Sequence, residues 1–211
     1  MRVAELSNRS GVPVPTIKYY LREGLLPAGE RTSPNQARYS EEHLHRLRLV
    51  RALVEVGGLS ISAARDVLGA LDDPDKSLYK AMGTVEKAVV ALDGEPSSDE
   101  VAHEWVREFV TRHGWELEED SGVYATLVNV LTTARQVGQD TFVDVLDDYA
   151  RACVDISERD LDWVMTAPSQ DAALEMVAVG TVLGDAALAA VRRLARRHAA
   201  QRRTAPRPPC P

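Results

Sequence analysis

Four side chains within seven residues, Thr16, Lys18, Tyr19 and Arg22, offer cations and hydroxyl donors at a spacing that places them on one side of a helix. That chemistry suits nucleic acid: the cations neutralise phosphates, and the hydroxyls donate to phosphate oxygens or base edges. Ile17, Tyr20 and Leu21 fall at i, i+3 and i+4 and predict an opposite face turned to a neighbouring helix. Pro13 and Pro15 bracket the start of this helix and Gly24 ends it. Val3, Leu6 and the stem of Arg9 predict a short helix before it, ended by Ser10-Gly11. Two short helices joined by a tight turn predict a helix-turn-helix able to enter a major groove. The stretch from Leu25 to Tyr39, with Pro27, Gly29, Thr32, Ser33, Pro34 and Asn35, predicts a hairpin or wing. Its Arg31, Arg38 and Tyr39 would reach flanking phosphates.

The remaining elements read as helices. Ser40 is an N-cap followed by Glu41 and Glu42, with Leu44, Leu47, Val50 and Val54 at helical spacing until Gly57-Gly58. Ser60 opens a further helix through Leu71. Leu78, Met82, Val85, Val89 and Leu92 step by four, three, four and three, a short seam for another helix. Gly94 to Asp99 is the clearest linker, and helices are expected near 99–113, 120–138, 140–166 and 169–200. The fold class expected is mainly all-α: an N-terminal winged helix-turn-helix with a small β wing, then an all-helical C-terminal domain. The domains would be 1–71 for DNA binding, 72–98 as connecting helix and linker, 99–201 for effector binding and dimerisation, and 202–211 as a disordered tail.

Charge narrows the function. The chain's net charge of −7 divides into +3 over residues 1–71, −17 over 72–191 and +7 over 192–211. An acidic middle repels a phosphate backbone, which confines nucleic-acid contact to the ends. No apolar run approaches the roughly 18 to 20 residues needed to span a bilayer, and the first residues lack the apolar region of a secretory signal. A cytoplasmic protein without membrane contact is expected. Cys153 and Cys210 stand far apart with no CxxC, and His43, His45, His103 and His113 have no partner at ligand spacing, so no metal site is expected. No GxSxG, P-loop, GxGxxG or HExxH motif occurs, so neither an enzyme nor a cofactor is expected.

These residues carry a resemblance. Val3-Ala4-Glu5-Leu6, Gly11-Val12, the run from Thr16 to Pro27, Arg38-Tyr39-Ser40 and Gly57-Gly58-Leu59-Ser60 resemble the N-terminal winged helix of MerR-type transcriptional regulators. The resemblance covers residues 2–71. It implies a homodimer whose two recognition helices and wings occupy successive grooves of a near-palindromic double-stranded site. It also implies that Thr16, Lys18, Tyr19, Tyr20, Arg22, Arg38 and Tyr39 face DNA, with Tyr20 partly structural. Activators of this type distort promoter DNA so that RNA polymerase meets aligned elements. Lys18 replaces the family's usual Arg, Leu21 a frequent Glu, Ala37 a common wing aromatic, and Pro15 an often polar residue. These departures touch the sequence read more than binding itself. The helical remainder is loosely similar to the ligand-binding part of TetR-like repressors.

Trp105, Phe109, Tyr124, Tyr149 and Trp163 are candidates to line a pocket for an apolar small-molecule effector, the alternative being that each is simply core. Cys153 reads as a buried small hydrophobe. Gly180 and Gly184, four apart in a small-residue run, allow close helix approach, and dimerisation is expected through residues near 140–200. The function expected is a dimeric, effector-responsive DNA-binding regulator. The rival is a ligand-sequestering resistance protein that retains a winged helix.

Overall fold

The computed structural model describes residues 1–33, 36–73, 77–90 and 95–204. It divides into two compact units, Met1–Arg65 with the chain from Val179, and Asp66–Ala178.

In the first unit, α1 (Val3–Ser10) ends at Gly11, whose φ of 71° needs a residue without a Cβ. Helix α2 (Val14–Arg22) begins with Pro15 in its first turn and buries Ile17 and Tyr20. Strands β1 (Glu30–Ser33) and β2 (Gln36–Arg38) pair antiparallel, Glu30 opposite Arg38, as the two-stranded wing. Helix α3 (Glu41–Arg51) starts after Ser40, whose backbone N–H donates to His43 Nδ1 at 3.1 Å. Its last turn widens into a π turn over Ala52–Val56. The core comprises Leu6, Val12, Ile17, Leu25, Leu26, Leu44, Leu47, Val50 and Leu53, all nearly inaccessible. A Cβ on Gly57 would collide with Val182 Cγ1 and come 2.7 Å from the Leu53 carbonyl, so the π turn and the backbone around Val182 approach closely only because position 57 is glycine.

In the second unit, α4 (Ile61–Leu71) contributes its later residues, followed by α5 (Leu78–Val90), α6 (Glu100–His113), α7 (Gly122–Gln136), a 3-10 turn over Asp140–Val145, and α8 (Leu146–Val164). Helix α9 (Gln170–Thr204) begins in this unit. Ala102, Val106, Tyr124, Val128 and Leu131 form the core between α6 and α7, with Trp105, Val110 and Leu127 packed around it. The caps are legible. The Asp99 carboxylate accepts from the N–H groups of Val101 and Ala102 and from Arg135 Nη1 at 2.6 and 2.7 Å, and Ser121 caps α7.

Several expectations change. Helix α9 runs to Thr204, three residues into the stretch expected as a disordered tail; 205–211 lie outside the described residues, as do Leu92 of the seam and Gly94 of the linker. The expectation that no segment has the make-up of a membrane span is corrected. By length and composition α9 is long and apolar enough to cross a bilayer, with mean hydropathy 1.7 over an 18-residue window that is 22% buried. Valine and leucine raise that mean, but alanine and glycine between them keep the segment from forming a bulky apolar run, which is why it read only as a helix-packing surface. Cys153 is exposed instead of buried, because α8 buries only Ala150 and Val164.

Burial pushes the Asp99 carboxyl upward, but its backbone hydrogen bonds and Arg135 outweigh that and hold it below the ordinary aspartate value. The stability it contributes is therefore present above about pH 4, where an unfolded aspartate is ionised, and lost as pH falls through the lower folded value. In thermal melts, wild type should exceed Asp99→Asn by a constant margin above about pH 5, closing in stronger acid; a margin that widens with acid would contradict this.

Candidate nucleic-acid interface

The exposed face of α2 lies beside the wing. Arg2, Val3, Lys18, Arg31, Gln36 and Tyr39 are among the residues lining a notch of about 400 Å³ between them. Two reciprocal backbone bonds build this notch: the Met1 ammonium donates to the Tyr39 carbonyl at 2.7 Å, and the Tyr39 N–H donates to the Met1 carbonyl at 2.8 Å. They hold the end of the wing against the start of α1. The Tyr39 ring is buried edge-on against His43, ring centroids 5.3 Å apart. A Cβ on Gly29 would stand 2.6 Å from the Arg38 carbonyl and 2.9 Å from Tyr39 Cε1, so the wing closes over Tyr39 because residue 29 has none.

The residues expected to face DNA divide into two groups. Lys18, Arg22 and Arg38 are exposed, and Thr16 and Tyr19 are half-buried on the same side of α2. Arg22 lies over the Tyr19 ring, 5.3 Å from its centroid, and 3.8 Å from the Glu23 carboxylate, so its charge is partly engaged. Tyr20 is 4% exposed and Tyr39 8% exposed, so both serve the core or the wing with most of their surface. Burial pushes the Tyr20 phenol above its ordinary value.

Electrostatics sorts the cations further. Arg9 forms a two-pronged pair with Glu41 at 2.5 and 2.9 Å, Arg51 pairs with Glu55 and donates to the Ser10 carbonyl, and Arg65 pairs with Glu23. Arg9 in turn draws the Glu41 carboxyl below its usual value. Among the described residues no carboxylate pairs with Arg2, Lys18, Arg31 or Arg38. Arg9, Arg51 and Arg65 are thus engaged within the unit, whereas Arg2, Lys18 and Arg31 line the notch beside α2 without a carboxylate partner. Sequence reasoning did not single out Arg2. Its position two residues from the start carried no spacing signal, and only the Met1–Tyr39 pairing brings it to the notch.

The five aromatic candidates of the second unit do not assemble into one site. Trp105 stacks on Phe109 with centroids 5.0 Å apart, and Phe109 meets Trp115 edge-on at 5.8 Å. Tyr124 is buried, its hydroxyl 2.8 Å from His103 Nδ1, and burial raises its phenol above the usual value. Tyr149 and Trp163 are 37% and 44% exposed on α8. A groove of about 500 Å³ instead runs along α7, lined by Thr126, Val130, Thr133, Val137 and Phe142 among others, and by none of those five. The signal for it was in the sequence: Val123, Thr126, Val130, Thr133 and Val137 repeat every three or four residues. Among the described residues no three acidic, His or Cys side chains gather as metal ligands.

A paired helix unit with a two-stranded wing and a cationic outer face defines the winged helix-turn-helix class. Residues 1–71 match the model of the MerR HTH family regulatory proteins. The mercuric resistance operon regulatory protein of Bacillus cereus is 35% identical over 71 residues, 34% of this chain and 53% of that protein. The ZntR homologue of Haemophilus influenzae is 44% identical over 50 residues, 24% of this chain and 37% of that protein. The chain thus spans about half or less of these curated relatives. A solved structure of the candidate transcriptional regulator SCO5550 from Streptomyces coelicolor A3(2) is 36% identical with a TM-score of 0.71, covering 99% of this chain and 100% of that one. Residues 1–71, the N-terminal third of the chain, are thus a MerR-family HTH domain. Its relatives are transcriptional regulators, a family that is not enzymatic.

Proposed function

We propose that the protein is a dimeric DNA-binding transcriptional regulator that binds a near-palindromic promoter site and responds to an apolar small molecule. The observation that carries the DNA reading is the partition of cations in the winged unit. Arg9, Arg51 and Arg65 are neutralised internally, whereas Arg2, Lys18 and Arg31 remain uncompensated around one notch beside α2, with Arg38 exposed on the wing. Phosphates on the two sides of a groove would meet the wing and the start of α1, with Thr16, Lys18 and Tyr19 directed at the groove between them. In a dimer, two such faces grip one duplex, and a change in their spacing would deform the promoter that RNA polymerase reads. The groove along α7 supports the effector reading, being mainly apolar with Thr126 and Thr133 in its lining.

Binding to a duplex of arbitrary sequence reports the phosphate contacts directly, because their number sets the salt dependence. Arg2→Ala, Lys18→Ala and Arg38→Ala should each lower the slope of log K against log salt by about two in a dimer, one contact per copy. Arg9→Ala should leave that slope unchanged. Equal slopes for all four variants would remove the α2–wing face from the interface. For the effector groove, the apolar dye anilinonaphthalene sulfonate should fluoresce with the wild type and lose most of that signal in Val130→Glu. An unchanged signal would exclude the α7 groove as the apolar site. Tight dye binding with no salt-sensitive DNA binding would favour ligand sequestration.

A further inference from the structure

The segment of chain that precedes α6 is fastened to two helices by their side chains. Asn129 of α7 holds it with both ends of its amide: Oδ1 accepts from the Ser97 N–H at 2.8 Å, and Nδ2 donates to the Glu95 carbonyl at 3.2 Å. The amide thus does for two backbone groups what a neighbouring strand would do. Helix α6 holds the same segment through His103, whose Nε2 lies 2.7 Å from the Ser97 carbonyl. A carbonyl only accepts, so that nitrogen carries the proton, and in the neutral ring Nδ1 accepts from the Tyr124 hydroxyl at 2.8 Å. Asn129 is at the same time part of the wall of the α7 groove, none of whose lining residues is ionisable. The hydroxyls of Thr126 and Thr133 donate to the Gly122 and Asn129 carbonyls, each at 2.8 Å, so these donors are used within the helix. Arg135, on the same helix, pairs with Asp99 and Asp140.

We propose that Asn129 makes the groove a regulatory site: a neutral, apolar molecule seated there locks Glu95 and Ser97 onto α7. The proposal rests on the effector reading above and adds the charge of the ligand and the contact through which its binding is felt. The charge follows from the lining, where an ionised ligand would leave water and meet no counter-charge. The lock follows from water. When the segment lifts away from α7 in the free protein, water takes over its two hydrogen bonds to the amide. A bound apolar molecule excludes that water, so lifting would strand a donor and an acceptor of Asn129 beneath it. The ligand therefore binds the fastened state more tightly than the lifted one, and shifts the balance by that difference. By linkage, fastening tightens ligand binding in return. In chain order α5 and this segment stand between the winged unit and α6, and α5 also packs on α7. Occupancy of the groove reaches DNA affinity by this route.

Hydrogen exchange of the full chain with the neutral dye Nile red tests this, binding being read from the dye's fluorescence. In the wild type, saturating dye should slow exchange of the Ser97 amide about ten-fold and shift the affinity for duplex DNA by about five-fold or more. In Asn129→Ala the dye should still bind, but Ser97 should exchange at one fast rate with or without it, and DNA affinity should no longer respond. Asn129→Asp keeps an acceptor for the Ser97 N–H but sets a carboxylate against the Glu95 carbonyl, and should lose the response as well. The Ala125 amide, bonded to the Ser121 carbonyl at 3.1 Å at the start of α7, should exchange alike in all three chains, which separates loss of the contact from loss of fold. Dye that binds the wild type without slowing Ser97 or without changing DNA affinity overturns the proposal and leaves the groove as a ligand site. So does a DNA response that persists in Asn129→Ala. No dye binding to the wild type overturns both.

Discussion

The reciprocal backbone bonds between Met1 and Tyr39 are the constraint on which the candidate interface depends. A two-stranded ribbon of four and three residues is too small to hold its own orientation. Anchored at the start of α1, and closed over the Tyr39 ring by Gly29, the wing acquires a fixed place beside α2. That placement turns Arg2 and Arg31, distant in sequence from Lys18, into walls of one notch. The buried face of α2 does the complementary work: Ile17 and Tyr20 seat the helix, so that Lys18 and Tyr19 project from the other side.

The second constraint is electrostatic. Exposed ion pairs contribute little to stability, so Arg9–Glu41 and Arg65–Glu23 matter less as glue than as neutralisation. They remove charge from sides of the unit where phosphate would otherwise be drawn. Arg2, Lys18 and Arg31 remain positive around one notch, while the acidic helices of the second unit repel nucleic acid from theirs. A chain of net charge −7 can in this way carry a local anion-binding face.

Much of this was legible because local rules and tertiary structure agree. Gly11, Pro15, Ser40 and Asp99 mark element ends by backbone conformation or capping, and the structure puts the boundaries there. The wing was readable from a stretch rich in glycine, proline and polar residues between two amphipathic helices. Less was legible where packing decides. Nothing local says that Cys153 stays exposed, since that depends on α8 finding little of its own chain to cover it. The aromatic residues were the conspicuous signal in the helical domain, yet Trp105, Phe109 and Tyr124 are packed into or against its core while a valine–threonine repeat lines the groove. Arg2 entered the notch through a non-local hydrogen bond that no spacing rule encodes.

The central claim is that α2 and the wing together read duplex DNA as a pair. Selection of bound duplexes from a random pool, repeated with Lys18→Ala, tests it most directly. The account predicts a near-palindromic motif whose two halves sit one helical turn apart or a multiple of it, with enrichment lost in the variant. Enrichment of the same motif by Lys18→Ala, or no enriched motif with the wild type, would contradict it.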